Sequence, residues 1–348
     1  MTGNQRSMVA AGEFWHGATG RALSYGLRDL GWSVDDVEVT RFEMHGNGVV
    51  DRALGRLLHR RSTANYGAAI VESARRHAAD AMLTVKGIGI SREVLEMLRA
   101  ERVLTVNYYP DFEFKFTGFD PEKFRDYGLV ITTKSFQVEP LRRMLGSDRV
   151  AFVHHGFAPQ VHRPVDTPQS EEDFDTDILY VGNASDSKFA LLLAVASAFP
   201  DQRIQIIGHR WSARAAGTAL APFVLGHGLA GDFYSRAVSR ARIVIAAHMG
   251  AVEPGGWEDL VSTRTFEIPA IGGFMLHIDN AELRTLFEPG REIDVFADAD
   301  SLVERIGYYL ERPEERRAIA RRGYDRAWAD HSLSRRAAEV DALIRARI

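Results

Sequence analysis

The chain has 348 residues, which is long for one hydrophobic core and predicts two domains of about 150 to 180 residues each. Hydrophobic residues make up 45% and charged residues 26% of the chain, a composition that excludes a disordered protein. The formal net charge of −4 gives no general attraction to nucleic acid or to an anionic membrane, so an anionic ligand would need a local site.

The sequence contains no cysteine, which excludes disulfides, cysteine metal sites and a thiol nucleophile, and fits a reducing cytoplasm. No apolar stretch has the length of a signal peptide core or of a membrane span, so we expect a cytoplasmic protein. His154, His155 and His277 lack the i, i+4 helical spacing with a nearby acid that would indicate zinc. We therefore expect no metal site.

Short β-branched or apolar runs alternate with segments of helical period in the first half of the chain, a pattern typical of a parallel sheet covered on both faces. A helix over 18–30 should end at Gly31. The predicted strands are 8–12, 34–39, 81–85, 103–107, 128–132 and 149–153.

Residues 154–177 concentrate prolines and acidic residues without periodicity and are interpreted as an interdomain linker. The same alternation then starts again, with predicted strands at 177–182, 203–208, 242–246, 273–278 and 292–296. The tail over 298–346 is helical in pattern, with Pro313 between two helices. We predict an α/β protein of two doubly wound Rossmann-like domains, 1–160 and 161–330, facing each other across a cleft, and a final helix, 331–348, that packs on the first domain.

A glycine-containing loop, GEFWHGATGRAL (12–23), follows the first predicted strand. Glycines let backbone N–H groups approach a phosphate at a helix N-terminus. The spacing of Gly12, Gly17 and Gly20 is not the G-x-G-x-x-G of a dinucleotide site. The loop predicts either a ligand contact or simple tight turns.

Two neighbouring strand ends carry basic residues. In YVGNASDSKFALLL (180–193), a polar loop leads to Lys188 on the opening turn of a helix, where a cation is unfavourable unless an anion is bound. In IIGHRW (206–211), Gly208 ends a strand and His209 and Arg210 follow, so that Arg210 could complement Lys188 on a diphosphate. The alternatives are a solvated surface lysine and an arginine in a surface turn.

The stretch STRTFEIPAIGGFMLHIDN (262–280) places Arg264 and Glu267 at the start of a short helix that runs into a buried strand. Hydroxyls of Ser262, Thr263 and Thr265 surround this helix start. Glu267 could be only a favourable partner of the helix dipole. If the helix start lies deep in the protein, an unpaired carboxylate would be costly, and a ligand hydroxyl such as that of a ribose would satisfy it.

These residues in this order resemble the GT-B glycosyltransferases, specifically the retaining family of the glycogen-synthase and mannosyltransferase type (family 4-like, with the glycosyl transferases group 1 C-terminal domain) and its CgeB-like, spore-maturation branch. Arg264-Thr265-Phe266-Glu267 followed by IPAIGGFML looks like the second half of the family's E-x7-E element, with Asp259 at the first acidic position. The segment 286–333 is similar to the tail of the branch, and 86–111 to its first domain. HHGFAP (154–159) stands where the family usually has its linker motif.

The resemblance implies a role for each matching residue. It places Glu267 on the nucleotide ribose and Lys188 on the diphosphate, with Arg264 as a second cation and Gly17 against the donor from the first domain. Asn183 stands where the family has a basic residue. The loop 225–234 resembles the family's segment near the nucleobase, and Asp111 lies where the family has a residue near the sugar or acceptor. The full set of predicted donor-binding residues is Gly17, Gly182, Asn183, Gly208, His209, Arg210, Gly226, His227, Ser262, Thr263, Thr265 and Glu267, and the predicted catalytic residues are Lys188, Arg264 and Asp111.

The sequence is therefore interpreted as a glycosyltransferase that moves a sugar from a nucleoside-diphosphate sugar to an acceptor of unknown identity, with retention and without a metal or other cofactor. The nucleotide sugar is the expected partner, and no nucleic acid is expected. Two alternatives remain, a nucleotide-sugar epimerase of the same fold and a non-catalytic sugar-nucleotide-binding protein. Conversion of the donor without an acceptor would indicate the first, and binding without turnover the second.

Overall fold

The chain divides into two compact α/β units. The computed structural model describes residues 5–42, 49–112, 121–226, 228–248 and 257–348, with the backbone alone over 49–60. One unit comprises Met1–His154 and Leu333–Ile348, and the other His155–Ser332. Each unit is built around its own sheet of six parallel strands.

The strands of the first unit are β1 (Ser7–Gly12), β2 (Ser33–Glu38), β3 (Ala81–Val85), β4 (Leu104–Tyr109), β5 (Leu129–Thr132) and β6 (Val150–Phe152). Its α-helices are α1 (Thr19–Asp29), α2 (Val49–Arg76), α3 (Arg92–Ala100), α4 (Val138–Leu145) and, from the end of the chain, a helix over Leu333–Arg345. The strand order is β2-β1-β3-β4-β5-β6. The chain leaves β1 toward one edge and returns to its other side, which is the topology of a doubly wound sheet.

The helix Leu333–Arg345 packs on α1 within the first unit. A Cβ placed on Gly26 of α1 would lie only 2.6 Å from the Cβ of Ala337, so the two helix backbones approach as closely as glycine permits. The indole N–H of Trp32 donates to Asp341 at 2.6 Å. The last segment of the chain is thus an integral part of this unit.

The second unit contains the strands β7 (Thr176–Val181), β8 (Ile204–Ile207), β9 (Val224–Gly226), β10 (Ala241–Ala246), β11 (Met275–Ile278) and β12 (Asp294–Phe296). Its α-helices are α5 (Asp186–Ala198), α6 (Trp211–Ala215), α7 (Gly231–Ser239), α8 (Thr263–Ala270), α9 (Leu283–Leu286), α10 (Ala299–Leu310) and α11 (Pro313–Asp330), after which the helix Leu333–Arg345 is named α12.

The second sheet has the order β12-β11-β10-β7-β8-β9 and is covered on both faces. Side chains alternate along its central strand: Leu179 and Val181 belong to the core on one face, and Ile178 and Tyr180 to the core on the other. After β7 the chain adds β8 and β9 on one side of that strand, and it then adds β10 on the other side, so the order of the strands changes direction between β7 and β10. Ligands of open parallel sheets bind at such a switch point, at the carboxyl ends of the strands.

The strands were predicted well from the sequence. Every predicted strand has a counterpart whose ends differ by at most two residues, and the two doubly wound units confirm the predicted fold class. The prediction of a continuous loop over 225–234 was wrong, since Val224–Gly226 forms the edge strand β9 and α7 begins at Gly231. Three residues, of which Leu225 is exposed, are too few to show an alternation of apolar and polar side chains, so a strand signal was lacking there.

Residues 155–175, within the segment interpreted as a linker, lie along the second unit. The hydroxyl of Ser235 donates to the carbonyl of Val161 at 2.8 Å, and Arg240 forms an ion pair with Asp175. The segment is therefore held by hydrogen bonds to α7 and to the residue that precedes β10. In the described part of the chain, no helix is long and apolar enough to cross a membrane.

The close contact between α1 and α12 gives a test of the fold. We expect Gly26→Ala to lower the free energy of unfolding by about 1–3 kcal/mol, because overpacking against Ala337 outweighs the gain of about 1 kcal/mol in helix propensity. Ala337→Gly in the same chain removes the clash. Urea unfolding of the parent, the two single variants and the double variant should therefore show a favourable coupling free energy of about 1 kcal/mol between the two positions. A Gly26→Ala protein as stable as the parent would contradict the packing.

Candidate nucleotide-sugar site in the second unit

Two loops meet closely where β7 and β8 end. The backbone N–H of Gly182 donates to the carbonyl of Ile207 at 2.8 Å, and that of His209 donates to Asn183 Oδ1 at 3.2 Å. A Cβ on Gly208 would lie 2.0 Å from the carbonyl oxygen of Gly182, so only glycine fits there. The predicted residues Gly182, Asn183, Gly208 and His209 are thus brought together in one hydrogen-bonded pair of loops.

Lys188 is buried in the first turn of α5. It is 5% exposed, and its Nζ donates to the carbonyl of Asn183 at 3.2 Å. Burial, followed by the positive charge of Arg264, lowers the pKa of Lys188 to about 8, while the negative charge of Asp259 acts in the opposite direction. The ammonium also faces the positive end of the α5 dipole. An anion at this point would relieve all three unfavourable effects.

Arg264 lies in the first turn of α8, beside the end of β7. A Cβ on Gly182 would lie 3.2 Å from Arg264 Nη1 and 2.7 Å from the hydroxyl of Tyr180. The Nε of Arg264 is buried and has no hydrogen-bond partner among the described residues. Because an unsatisfied buried donor costs about 1–3 kcal/mol, the guanidinium is poised to gain from an acceptor.

Glu267 follows one turn after Arg264 on α8. Its side chain is 14% exposed, and its Oε1 lies 3.7 Å from Nε2 of His162. Burial and then the negative charge of Glu267 raise the pKa of Tyr234, whose ring is buried on α7. The carboxylate therefore lies in a largely buried polar environment, where it can accept hydrogen bonds from ligand hydroxyls.

A buried histidine network supports the start of α8. His277 Nδ1 lies 2.6 Å from the carbonyl of Ile278, which can only accept, so Nδ1 carries the proton. Nε2 is then the acceptor nitrogen, and it lies 2.8 Å from His248 Nε2 and 2.9 Å from the hydroxyl of Thr265. Thr265 also accepts from the backbone N–H of Ser262 at 3.1 Å. Thr265 is fully buried, and its hydroxyl orients the start of the helix.

The remaining predicted donor residues lie at the edges of this region. Thr263 is half-buried, Arg210 is exposed with a left-handed φ of 68° before α6, and Gly226 ends β9. The predicted role of Arg210 on a diphosphate remains a prediction. His227 lies outside the described residues.

Asp111 and Gly17 belong to the first unit. Asp111 follows β4, and its Oδ1 forms an ion pair with Lys86 Nζ at 3.2 Å, while Gln137 Nε2 donates to its carbonyl at 3.0 Å. Gly17 lies in the loop between β1 and α1 with a φ of 105°, in the region that favours glycine. Their predicted roles at the donor or acceptor remain predictions.

Sequence reasoning missed four side chains of the site. Tyr180 stands two residues before a glycine at a strand end, and His248 follows β10 by two residues, so both had a weak positional signal. Tyr234 lies in the segment 225–234 that resembles the family's nucleobase segment, although nothing singled out its side chain, and His162 had no signal. The four are His162, Tyr180, Tyr234 and His248. Among the residues that the structure describes, no group of three or more His, Cys, Asp or Glu could hold a metal ion.

Solved structures share this architecture over nearly the whole chain. Sucrose-phosphate synthase of Thermosynechococcus elongatus is 16% identical, with a TM-score of 0.69 and 98% of each chain covered. Anabaena HepE, solved with UDP and glucose, is 13% identical, with a TM-score of 0.60 and coverage of 98% of this chain and 100% of that one. A putative UDP-N-acetylglucosamine 2-epimerase of Listeria monocytogenes is 12% identical, with a TM-score of 0.57 and coverage of 99% and 96%.

At these identities the similarity shows the fold alone, and that fold is GT-B, as predicted. Residues 188–342 in addition match the model of the family described as glycosyl transferase-like. This match begins at Lys188 and includes Arg264 and Glu267. No curated protein matches the chain. The more specific resemblance to the CgeB-like branch remains a prediction.

The histidine network predicts sensitivity to acid. Burial lowers the pKa of His277 to about 4 from a usual 6.5, so between these values the unfolded chain binds a proton that the folded one does not. Stability therefore falls as the pH falls through this range, by about 3 kcal/mol from this group. The variant His277→Asn keeps a donor toward Ile278 but has no group that titrates here. Over this pH range we expect its free energy of urea unfolding to change by about 3 kcal/mol less than that of the parent protein. Equal pH profiles for the two proteins would contradict the buried, neutral state of His277.

Proposed function

We propose that this protein is a glycosyltransferase that moves a sugar from a nucleoside-diphosphate sugar to an acceptor. The observation that carries the proposal is the pair of cations Lys188 and Arg264, which lie close enough for the charge of Arg264 to lower the pKa of Lys188. The glycosyl transferase-like match spans both residues and supports the assignment. The similarity in fold to Anabaena HepE, which was solved in complex with UDP and glucose, supports this type of donor.

In this proposal the two cations hold the diphosphate of the donor. The Nζ of Lys188 presents a point charge at the N-terminus of α5, and the planar guanidinium of Arg264 presents two parallel donors. Negative charge increases on the diphosphate as the bond to the sugar breaks. Cations and a helix dipole that are already in place stabilise that charge without reorganisation, which is an effective form of catalysis.

Glu267 is proposed to accept hydrogen bonds from the ribose hydroxyls. A carboxylate accepts from both hydroxyls of a cis-diol, and Glu267 is one helical turn from Arg264, so ribose and diphosphate can be held by one helix. His162 Nε2 lies 3.7 Å from its Oε1, and Tyr234 is close enough for the charge of Glu267 to raise the pKa of its hydroxyl. Together these residues define a site for the nucleotide end of the donor.

We propose that the reaction needs no metal and retains the anomeric configuration. Lys188, Arg264 and the α5 dipole supply positive charge of the kind that a divalent cation supplies elsewhere. The bond between the anomeric carbon and the diphosphate oxygen breaks, the acceptor oxygen bonds to that carbon on the same face, and the acceptor proton passes to the departing phosphate. Retention is proposed from the family resemblance.

Substitution of either cation tests the proposal. We expect Lys188→Ala and Arg264→Ala each to lower the turnover by roughly 10² to 10³, because each removes a donor to the leaving group. The measurement is release of the nucleoside diphosphate from the nucleotide sugar that a thermal-shift screen selects as the donor. Arg305→Ala is the matched control, since this arginine pairs with Asp294 at the start of β12. Unchanged turnover in both site variants would contradict the assignment of Lys188 and Arg264 to the diphosphate.

The same assay separates the competing activities. A transferase releases the nucleoside diphosphate, whereas an epimerase returns a nucleotide sugar with altered configuration, and a binding protein shows a thermal shift with neither product. Chromatographic separation of the products distinguishes these outcomes, because an epimer has the same mass as the donor and mass spectrometry alone would not separate them. Added Mg²⁺ or EDTA should leave the transferase rate unchanged.

The pKa of Lys188 gives a second test. In the free protein this pKa is about 8, and a bound diphosphate stabilises the charged form, so the association constant for UDP should fall as the pH rises above 8. The fall approaches tenfold per pH unit until the pKa of the bound lysine is reached. Lys188→Arg stays charged and should show a flat profile in calorimetry between about pH 7 and 9.5. A wild-type profile as flat as that of the arginine variant would contradict contact between Lys188 and the phosphates.

A further inference from the structure

A cavity lies at the amino ends of the strands of the second sheet, at the edge opposite to Lys188 and Arg264. It has a volume of about 410 Å³, within the range of about 300–1,000 Å³ for small-molecule sites. Its walls come from the segment before β7, the starts of β10 and β11, the end of α8, and α11. The lining residues are Pro164, Thr167, Pro168, Phe174, Ser239, Ala241, Arg242, Ile271, Gly272, Phe274, Arg316, Arg317, Ala320, Arg321 and Tyr324.

The described lining contains four arginines and no acidic residue. Behind it, the carboxylate of Glu171 is shared by three of the arginines: Arg316 at 2.6 Å, Arg317 at 2.8 Å and Arg242 at 3.3 Å. Glu171 thus supplies one negative charge to three guanidiniums.

Other acidic groups offset part of this charge from outside the lining. Asp177 lies 3.1 Å from Arg242 but is shared with Arg203. On the outer surface Glu314 pairs with Arg317, and Asp325 pairs with the exposed Arg321. Exposed pairs of this kind are worth about 0–1 kcal/mol, so Arg321 can turn toward an anion at little cost. Arg317 keeps its contact with Glu171 and can exchange only Glu314 for an anion.

The deepest arginine is fixed in position before any ligand arrives. Arg316 is 1% exposed, donates to the carbonyl of Tyr309 at 2.8 Å, and lies over the ring of Phe174 with 5.7 Å from Cζ to the ring centroid. Arg316 thus supports the wall, and the lining also contains apolar side chains such as Ile271 and Phe274. Guanidiniums beside an apolar surface suit a ligand with one anionic end and one apolar body.

We propose that this cavity is a second ligand site, which binds a small organic anion with a ring or aliphatic body. The anionic group contacts Arg317 and Arg321, and the body packs against Ile271 and Phe274. The site belongs to the second unit alone. It is separate from the proposed donor site, so its existence does not depend on the glycosyltransferase assignment.

The probe for the experiment is 8-anilinonaphthalene-1-sulfonate, whose rings and sulfonate match the two parts of the cavity and whose fluorescence rises on binding. Titrations use the full chain, first without UDP and then with increasing UDP, so that competition between UDP and the probe is detected. Arg317→Gln combined with Arg321→Gln should weaken binding at least tenfold, since two charge-assisted contacts are lost. Ala320→Trp, which fills the cavity and keeps every charge, should abolish it. Arg322→Gln is the matched control, because Arg322 lies on α11 outside the cavity and donates to the carbonyl of Arg291.

Two results would overturn the proposal. One is equal affinity for the probe in the parent, the double variant and the cavity-filling variant, each shown to be folded by its thermal transition. The other is displacement of the probe by UDP in a competitive manner, which would place the probe at the donor site. Displacement by inorganic phosphate alone at low millimolar concentration would refute the apolar part of the site, whereas resistance to phosphate supports it.

Discussion

The candidate site depends on one electrostatic constraint, the enforced proximity of Lys188 and Arg264. Like charges in a partly buried setting repel, and the lowered pKa of Lys188 shows how far burial and this repulsion disfavour its charged form. The folded chain holds them there through elements that have no charge, namely the interlocked glycines Gly182 and Gly208 and the start of α8. The protein thus holds an unfavourable arrangement that an anionic ligand would relieve, and perturbed pKa values of this kind are common in binding and catalytic sites.

The buried histidines follow from the same constraint. A third positive charge beside Arg264 would be unfavourable, and burial together with Arg264 keeps the pKa of His277 low, so the ring stays neutral. A neutral ring has one donor and one acceptor nitrogen, and here the donor faces Ile278 and the acceptor faces Thr265 and His248. The network can therefore fix α8 at neutral pH without adding charge. Its cost appears on acidification, when the unfolded chain takes up the proton.

The sequence predicted what depends on local pattern and missed what depends on packing in three dimensions. Parallel strands are apolar runs with helices between them, so the fold and the position of Lys188 in a first helical turn were predictable. Arg264 and Glu267 were predictable as a charged helix start. The arrangement of Tyr234 and His162 around Glu267 was not, because these residues come from elements more than thirty residues away in the chain, and no periodicity records which side chains meet across a core. The edge strand β9 was missed since three residues are too few to show a period.

Helix α8 links the proposed donor site to the arginine-lined cavity. Arg264 lies in its first turn, while Ile271 and Gly272 directly after its last residue form part of the cavity wall. Eight helical residues span only about 12 Å, and a short helix moves as a rigid body, so a ligand can act on Arg264 from the cavity only by displacing the whole helix. Displacement would break the hydrogen bonds between Thr265 and His277, a cost set by the buried network. That network therefore limits the coupling free energy between a ligand in the cavity and a ligand at Arg264. By linkage, the effect of the first ligand on the affinity for the second equals the effect of the second on the affinity for the first.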